Sequence, residues 1–255
     1  MYKADQNISD FLETGFDLRI HLATFLQISL DELNRRLPKG IDDMAAIHPG
    51  SLNPDDAENF YEEMVGDAHL LDLASWHLNS SSYIADTLRL QKMFACGQVL
   101  DFGGGIGTHA IAAASLPDVE HVWFVDLNPI NRDFVRKRAI SLGLEQSISV
   151  HRDLQSTGKV KFDTLVCLDV LEHIPNPSDQ LNSFCERIGP SSTALMNWYF
   201  FKGNNHEYPF HFDDPGMIEQ FFFTLQSNFI ELFHPFHITT RAYKPLFKSD
   251  KSNIN

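Results

Sequence analysis

The chain has 255 residues, of which 43% are hydrophobic, and 20 basic against 34 acidic side chains give it a formal net charge of −14. This size and apolar content suit an α/β domain with a helical addition, whereas the acidic balance disfavours nucleic acid and anionic membranes as partners. No apolar stretch is long enough to span a bilayer and no basic-plus-apolar signal follows Met1, so we expect a cytoplasmic protein.

The first 95 residues are predicted to be mainly helical. Helical patterns are predicted over 8–33, from 53 onward with a break near 66, and over 83–94, and the segment from 40 to 53 is predicted to be a loop. Asn53 followed by Pro54 supports the second of these starts, because Asn caps a helix and Pro fits its first position. This region is therefore expected to be a helical extension to the domain that follows.

From Gln98 onward the pattern alternates between strands and helices. Strands are predicted at 98–103, 121–126, 147–151, 162–168 and 193–200, helices at 106–116, 129–142, 178–188 and 215–226, and two further strands in 229–243. Asn128, Asn176 and Asp214 each precede a proline and so mark helix starts. Such alternation predicts a parallel sheet covered by helices on both faces.

A glycine-rich turn between the first of these strands and its helix indicates a ligand site. Gly103, Gly105 and Gly107 form a G-x-G-x-G pattern, and Thr108 stands where the third glycine of a dinucleotide fingerprint belongs. Asp101, just before the turn, would repel a pyrophosphate but suits an amino-bearing ligand. The pattern therefore disfavours a nicotinamide oxidoreductase, which stays open as an alternative.

A second acidic signal lies at the end of the next predicted strand. The apolar run 121–125 ends in Asp126, 25 residues after Asp101. A carboxylate at this place can accept hydrogen bonds from both hydroxyls of a ribose. The two signals together favour a nucleoside-containing ligand at the carboxyl ends of the strands.

Two segments resemble motifs of one enzyme family. Residues 101–107, Asp-Phe-Gly-Gly-Gly-Ile-Gly, resemble the first motif of class I S-adenosylmethionine-dependent methyltransferases. Residues 162–174 resemble the fourth-strand motif of that family, in the D-x-L-E-H-I form common among its small-molecule methyltransferases. The resemblance covers roughly 80–245.

The resemblance implies a fold and a division of the chain. The fold is a Rossmann-like α/β class I methyltransferase fold, with a seven-stranded, mostly parallel sheet that ends in an antiparallel hairpin and with an N-terminal helical extension. The division is a helical extension or lid over 1–95, a cofactor-binding methyltransferase domain over 96–248, and a polar tail over 249–255. The extension is expected to close over the cofactor or to form a homodimer contact.

The resemblance also implies that S-adenosylmethionine is the cofactor. Its methionine part would lie on the glycine-rich turn, its ribose on Asp126, its adenine on Asp153, and Asp169 would face the substrate. The expected cofactor-binding residues are Asp101, Gly103, Gly105, Gly107, Asp126, Leu127, Asp153, Asp169 and Val170. For Asp153 the alternative is a helix cap or a surface residue.

The expected catalytic residues, on the acceptor side, are His173, His211 and Tyr199. His173 follows the fourth predicted strand, Tyr199 lies at the end of the fifth, and His211 lies in the loop after it. A general base is needed only where the acceptor carries a proton, and a histidine among 12 can equally have a packing role. His206, His211 and Asp213 could be metal ligands, but Mg²⁺ prefers carboxylates and water, so we expect no metal.

The expected function is transfer of a methyl group from S-adenosylmethionine to O, N or C of a small-molecule acceptor, with specialised metabolism as one setting. The aromatic content, 12% of residues, favours an apolar or aromatic acceptor. The alternative is a non-catalytic S-adenosylmethionine-binding protein or an interaction module that has kept the fold.

Overall fold

The computed structural model describes residues 2–47, 52–204 and 208–246, and a seven-stranded sheet forms its centre. The strands are β1 (Gly97–Phe102), β2 (Val119–Val125), β3 (Ile148–His151), β4 (Phe162–Cys167), β5 (Ile188–Met196), β6 (Phe229–Leu232) and β7 (Arg241–Pro245). Their spatial order is β3-β2-β1-β4-β5-β7-β6. Strands β1 to β5 are parallel, and β7 runs antiparallel between β5 and β6. The predicted mostly parallel sheet with a terminal antiparallel hairpin is confirmed.

Strand β1 lies at the point where the strand order reverses. Asp101 pairs with Phe124 of β2 on one side and with Val166 of β4 on the other. In open α/β sheets, ligands bind beyond the carboxyl ends of the strands at this switch point. The glycine-rich turn follows β1 directly and therefore occupies that place.

Eleven α-helices are found in the part of the chain that the structure describes. They are α1 (Tyr2–Thr14), α2 (Leu18–Leu26), α3 (Leu30–Arg36), α4 (Gly40–Ile47), α5 (Ala57–Asn59), α6 (Gly66–Asn79), α7 (Ser81–Phe94), α8 (Thr108–Ala114), α9 (Pro129–Ser141), α10 (Pro177–Arg187) and α11 (Pro215–Asn228). A π-helix, Phe60–Met64, continues α5. None of the described helices is both long and apolar enough to cross a lipid bilayer.

The predicted helix starts differ in how they are capped. Asn128 Oδ1 accepts hydrogen bonds from the backbone N–H groups of the first turn of α9, and Asp214 Oδ1 accepts one from Met217. Asn176 precedes α10 but makes no side-chain capping bond. At that third start the proline alone marks the helix, because its fixed φ suits the first helical position.

The predicted loop over 40–53 is wrong for its first half, because α4 occupies 40–47; residues 48–51 lie outside the described part. Gly40 is the first residue of α4 and a close-contact residue. A Cβ at Gly40 would lie 2.7 Å from the backbone oxygen of Leu71 in α6. The glycine therefore allows α4 to approach α6 closely.

Two further boundaries differ from the sequence-based prediction. The apolar pattern over 8–33 is divided among three helices, since Phe16, Asp17 and Gln27 adopt left-handed backbone conformations that end one helix before the next begins. Strand β5 begins at 188 rather than 193 and ends at 196 rather than 200, so the aromatic run 198–201 lies beyond the sheet. The predicted break near Gly66 is confirmed, because α6 begins there.

The N-terminal helices share a hydrophobic core with the sheet. Phe11 and Phe16 belong to the same cluster of buried residues as Ala110 of α8 and Val122 of β2. Arg138 of α9 is fully buried, with its pKa lowered to about 9 by burial. The Arg138 guanidinium donates to the carbonyl oxygens of Gly15, Phe16 and Ile106 at 2.8–3.0 Å. The α1–α2 turn is thereby tied to the start of α8.

Candidate active site

The glycine-rich turn has a backbone that only glycine adopts readily. Gly103 and Gly105 have φ of +69° and +55°. A Cβ at Gly103 would lie 2.4 Å from Cγ2 of Val170, and one at Gly105 would lie 2.8 Å from Cδ1 of Leu73 in α6. Gly107, at φ +76°, caps α8. The turn is thus closely packed between the segment that follows β4 and an N-terminal helix.

Asp101 is a buried carboxylate that lacks a full set of partners. Only 3% of the residue is exposed, and its Oδ2 has no hydrogen-bond partner among the described residues. Burial, together with the charge of Asp126, raises the pKa of Asp101 to about 7. A cationic group at this oxygen would restore a charge partner, since buried charges require pairing. The α-amino group of S-adenosylmethionine fits this requirement.

Asp126 links the glycine-rich turn to the start of α9. Its Oδ2 accepts the N–H of Gly105 at 2.8 Å, and its Oδ1 accepts the N–H of Asn128 at 2.8 Å and Nδ2–H of Asn131 at 3.4 Å. Burial raises the pKa of Asp126 to about 6 against the effect of these hydrogen bonds. Oδ2 has a single protein donor and can accept a further hydrogen bond, so a ribose hydroxyl fits this side chain as well.

The other predicted cofactor residues occupy different surroundings. Val170 packs on Gly103, and Leu127 is half-buried beside Asp126. Asp153 Oδ1 accepts the N–H of Ser156 at 2.8 Å, and its Oδ2 pairs with Arg152 at 3.0 Å. Asp153 therefore caps a turn and joins an ion pair, and its contact with adenine stays a prediction.

Asp169, just beyond β4, has a strained backbone. Its φ is +56°, a left-handed conformation that few non-glycine residues adopt. Its N–H donates to Asn197 Oδ1 at 2.6 Å, and Asn197 Nδ2 donates back to Asp169 Oδ1 at 2.8 Å. Burial raises the pKa of Asp169 to about 6. The sequence did not indicate Asn197, because the predicted fifth strand ran to residue 200 and included it, whereas β5 ends at Met196.

Beyond the carboxyl ends of β4 and β5 lies a cluster of three side chains: Glu172, His173 and His211. One carboxylate oxygen and one nitrogen of each ring are within 4.8 Å of one another, and the two imidazole centroids are 4.7 Å apart. Glu172 and His173 were both in the predicted motif, but only His173 was assigned a role. We call these three residues the Glu172 cluster.

Burial controls the protonation of this cluster. Glu172 is 1% exposed, and burial together with the charge of Asp169 raises its pKa to about 8. Burial lowers the pKa of His173 to about 3, with a smaller contribution from His211, and it lowers the pKa of His211 as well. Both imidazoles are therefore neutral at physiological pH.

The hydrogen bonds of the two rings fix their tautomers. His173 Nδ1 lies 3.1 Å from the carbonyl oxygen of Phe210, and His211 Nδ1 lies 3.1 Å from that of Phe201. A carbonyl oxygen can only accept, so we assign the proton to Nδ1 in each neutral ring. The Tyr61 oxygen, 2.9 Å from His173 Nδ1, then accepts from the same N–H. Nε2 of both histidines consequently keeps its lone pair.

Tyr199, the third predicted catalytic residue, lies at the rim of the cluster. Tyr199 is 47% exposed, and its ring is 5.9 Å from that of His211 and 5.4 Å from that of Tyr208. Asp213 pairs with Lys202 at 3.2 Å rather than joining the cluster, and His206 lies outside the described residues. The assembled carboxylate is Glu172, which the sequence-based ligand set did not include.

The N-terminal helices reach both halves of the site. Tyr61 of the π-helix places its hydroxyl 2.9 Å from His173 Nδ1, and Leu73 of α6 covers Gly105. Arg152, beyond β3, pairs with Glu58 and Glu62 of the N-terminal region at 2.8 Å and 2.5 Å. The predicted helical extension therefore supplies side chains to the site, and Tyr61 is the one that contacts the Glu172 cluster.

Comparison with known proteins agrees with this geometry. Residues 71–200, just over half of the chain, match the family described as "Methyltransferase domain". The match begins within α6 and ends after β5, so it includes the glycine-rich turn, Asp126 and the segment that follows β4.

Individual relatives are distant. A mitochondrial ubiquinone biosynthesis O-methyltransferase of Schizosaccharomyces pombe is 25% identical over 130 residues, which cover 48% of this chain and 46% of the relative. A ubiquinone biosynthesis O-methyltransferase of Shewanella pealeana is 29% identical over 107 residues, 39% of this chain and 42% of the relative. The matched segments thus span less than half the length of these curated relatives.

Solved structures show the same fold. An O-methyltransferase family protein from Burkholderia thailandensis superposes with a TM-score of 0.53 at 13% identity, over 72% of this chain and 60% of that one. The PH0226 protein from Pyrococcus horikoshii OT3 gives 0.52 at 16% identity, over 66% and 92%. The family match, which covers just over half of the chain, leads to one conclusion. The chain belongs to the methyltransferase domain family, as a class I S-adenosylmethionine-dependent methyltransferase.

Proposed function

We propose that this protein methylates a hydroxyl oxygen of a small-molecule acceptor, which is bound between the glycine-rich turn and the Glu172 cluster. The observation that carries this proposal is the cluster itself, a buried carboxyl with two neutral imidazoles next to the expected cofactor site. A hydroxyl must lose its proton on methylation, and these groups suit an oxygen that does so. The O-methyltransferase names of the relatives support oxygen over nitrogen or carbon.

The cofactor half of the site has a holding role. Asp101 pairs with the amino group of the cofactor, Asp126 accepts a hydrogen bond from its ribose, and the turn backbone lies along it. S-adenosylmethionine supplies a methyl group already activated by its sulfonium. The main task left to the protein is to place the acceptor oxygen in line with that methyl group, and positioning of this kind supplies much of the rate.

The acceptor half favours a planar or apolar molecule. Tyr61 packs against His173 with ring centroids 5.6 Å apart, and the His211 ring stacks on Tyr208 at 5.0 Å. Tyr199 borders the same side chains. Aromatic walls with a few polar groups at one end are typical of small-molecule sites that orient an aromatic hydroxyl. His173, His211 and Tyr199 are accordingly the proposed acceptor-side residues.

The helices of 1–95 act in this proposal as a cover that must open for ligands. Three contacts support this role: Leu73 packs on the glycine-rich turn, Tyr61 contacts the Glu172 cluster, and Arg152 beyond β3 pairs with Glu62. The division at residue 95, a homodimer contact through these helices, a setting in specialised metabolism and a cytoplasmic location stay predictions. The predicted tail over 249–255 lies outside the described residues.

The test is formation of S-adenosylhomocysteine that depends on an acceptor. The purified protein is incubated with S-adenosylmethionine and a panel of phenols, vicinal diphenols, aliphatic alcohols and amines. We expect turnover with at least one aromatic hydroxyl compound, and loss of about two orders of magnitude in His211→Ala, within the usual range for acid–base groups. His237→Ala, which changes an exposed histidine, is the matched control.

Two results would contradict the proposal. Turnover of amines alone would show that the protein transfers the methyl group to nitrogen rather than to oxygen. Tight binding of S-adenosylmethionine without turnover of any acceptor in the panel would favour the alternative of a non-catalytic binding protein.

A further inference from the structure

The Glu172 cluster contains a carboxylate oxygen that has no role within the protein. Backbone N–H groups of Glu172 and Tyr199 hydrogen-bond the carboxylate, yet its Oε2 is buried and has no hydrogen-bond partner among the described residues. A buried, unpartnered carboxylate oxygen costs free energy unless a proton or a cation accompanies it. One oxygen of this carboxylate and one nitrogen of each imidazole ring, His173 and His211, lie within 4.8 Å of one another.

The two histidines are oriented as metal-bound histidines are. A ligating histidine almost always donates its second ring N–H to a backbone carbonyl or carboxylate, which fixes the tautomer and the ring orientation. Here Nδ1–H of His173 faces the Phe210 carbonyl and Nδ1–H of His211 faces the Phe201 carbonyl, each at 3.1 Å. Nε2 is thereby the free nitrogen of both rings.

The backbone holds the three side chains together. Glu172 and His173 are adjacent on the short 3-10 helix Leu171–His173, whereas His211 lies on a loop beyond β5. The N–H of Phe212 donates to the carbonyl oxygen of Glu172 at 2.8 Å and so fixes this loop beside the helix. Tyr61 supports His173 from a third segment. Three segments thus position one set of donors.

Resting on the proposed function, we propose that Glu172, His173 and His211 bind a divalent first-row transition cation, such as Zn²⁺, which coordinates the acceptor hydroxyl. Two imidazole nitrogens and one carboxylate oxygen suit Zn²⁺, Fe²⁺ or Co²⁺ better than Mg²⁺, which prefers oxygen ligands alone. Three protein ligands leave positions open for the acceptor, as in catalytic zinc sites. The inference departs from the sequence-based expectation of no metal, which considered Asp213 rather than Glu172.

The cation would act as a Lewis acid on the acceptor. Coordination lowers the pKa of the hydroxyl, whose proton leaves to water while the oxygen keeps the electron pair. That pair forms the new O–CH₃ bond as the S–CH₃ bond breaks and its electrons return to sulfur. The cation is neither oxidised nor reduced, so no further reactant is needed.

Metal binding is measured directly on the full chain, after removal of any affinity tag and of metal with a chelator. Calorimetric titration with Zn²⁺, and visible spectroscopy with Co²⁺, should show one bound ion per chain. Glu172→Gln and His211→Ala should each weaken binding by at least about a hundredfold, since even loss of an outer partner of a ligand costs 10–100-fold. Tyr61→Phe, which removes such a partner, should cost about tenfold.

Asp213→Asn is the matched control. It removes a carboxylate two residues from His211 that pairs with Lys202, so a merely electrostatic attraction of cations would weaken with it. Calorimetry with S-adenosylhomocysteine confirms that each variant is folded, and His211→Ala on its loop remains informative if Glu172→Gln fails to fold.

The outcomes separate this inference from the proposed function. No binding of Zn²⁺ or Co²⁺ at micromolar concentrations, or equal binding by Glu172→Gln, His211→Ala and wild type, overturns the metal site. Turnover that is unchanged in the chelator leaves the methyltransferase proposal in place with a histidine as the proton acceptor. One bound ion without turnover of any acceptor supports the metal site and counts against the proposed function.

Discussion

The two halves of the site are built in different ways. The cofactor half is formed by a short stretch of chain around the glycine-rich turn and by Asp126, at the ends of adjacent strands β1 and β2. The acceptor half brings together Tyr61, His173 and His211, of which Tyr61 is 112 residues from His173 in sequence. A site made by consecutive residues keeps its geometry through the backbone, whereas a site made by distant segments depends on the whole fold.

The largest expected effect is on cofactor affinity, and it comes from a substitution in the cofactor half alone. Asp126→Ala should weaken S-adenosylhomocysteine binding about a thousandfold, because two charge-assisted hydrogen bonds of about 2 kcal/mol each are removed. Calorimetry measures the affinity, and Asp126→Asn, which keeps one acceptor oxygen, should fall between. Zn²⁺ binding at the Glu172 cluster should be unchanged; a parallel loss would mean that the two halves are not independent.

A smaller effect is expected where the halves meet, at Gly103 beside Val170. Gly103→Ala should lower the free energy of unfolding by about 3 kcal/mol, because it adds a clash to a left-handed residue. Gly143→Ala is the matched control, since Gly143 has the same φ of +69° with no atom within 4 Å of the added Cβ, and should cost only about 1 kcal/mol.

Urea denaturation measures both glycine variants. Val170→Ala combined with Gly103→Ala should recover part of the loss, because the contact at 2.4 Å is then removed. Equal losses at Gly103 and Gly143 would show that backbone strain, rather than packing against the segment after β4, decides the cost.

A change of pH should have an intermediate effect on cofactor affinity, through the protonation of Asp101. The pKa of Asp101 is raised to about 7, so the carboxylate that pairs with the cofactor amino group is mostly protonated at pH 6 and mostly ionised at pH 7.5. S-adenosylhomocysteine affinity should rise about eightfold between these pH values. Asp101→Asn should bind more weakly and with a flatter profile; a wild-type affinity that falls with pH would contradict this assignment.

The raised pKa of Asp101 has opposite effects on cofactor affinity and on the stability of the ligand-free protein: affinity should rise with pH, and stability should fall. A carboxyl with a folded pKa above its unfolded value contributes stability that is fully present below the unfolded value and is lost as pH rises from the unfolded to the folded value. The ligand-free protein should therefore lose stability relative to Asp101→Asn as pH rises from 3.8 to about 7. Urea denaturation across that range measures the difference, which added S-adenosylhomocysteine should reduce.

The smallest expected effect tests the role of Tyr61, which comes from a distant segment of the chain. Tyr61→Phe removes a hydroxyl 2.9 Å from His173 and keeps the ring packing, so the catalytic rate with a hydroxyl acceptor should fall about fivefold, as for one neutral hydrogen bond of about 1 kcal/mol. Tyr243→Phe, which removes a hydroxyl from β7 of the terminal hairpin, is the control. A change in S-adenosylhomocysteine affinity as large as that in rate would place Tyr61 in the cofactor half.

The sequence predicted most of what is local. The glycine spacing, the helix starts at Asn128 and Asp214, and the order of strands and helices all depend on short-range rules, and the sheet and fold class are confirmed. The loop prediction failed at Gly40, because a glycine that permits close helix packing has the same local appearance as one that ends a helix. That distinction depends on Leu71, which is 31 residues away.

The candidate site likewise has features that the sequence predicts and features that it does not. Asp101, Gly105 and Asp126 could be identified from spacing, and the structure brings them together. The tautomers of His173 and His211 depend on carbonyl oxygens in a distant loop, which no spacing in the sequence indicates. Assembly of the metal-ligand set around Glu172 rather than Asp213 likewise depends on the loop that carries His211.

Arg138 limits how the protein can be divided for experiments. Its guanidinium is inside the molecule, and two of its three carbonyl partners belong to Gly15 and Phe16. A fragment that starts at the boundary of the family match, residue 71, would leave that charge without these acceptors and would remove Phe11 and Phe16 from the buried cluster that also contains Ala110 and Val122. The first helices therefore have to be expressed together with the sheet, although the family match begins only at residue 71.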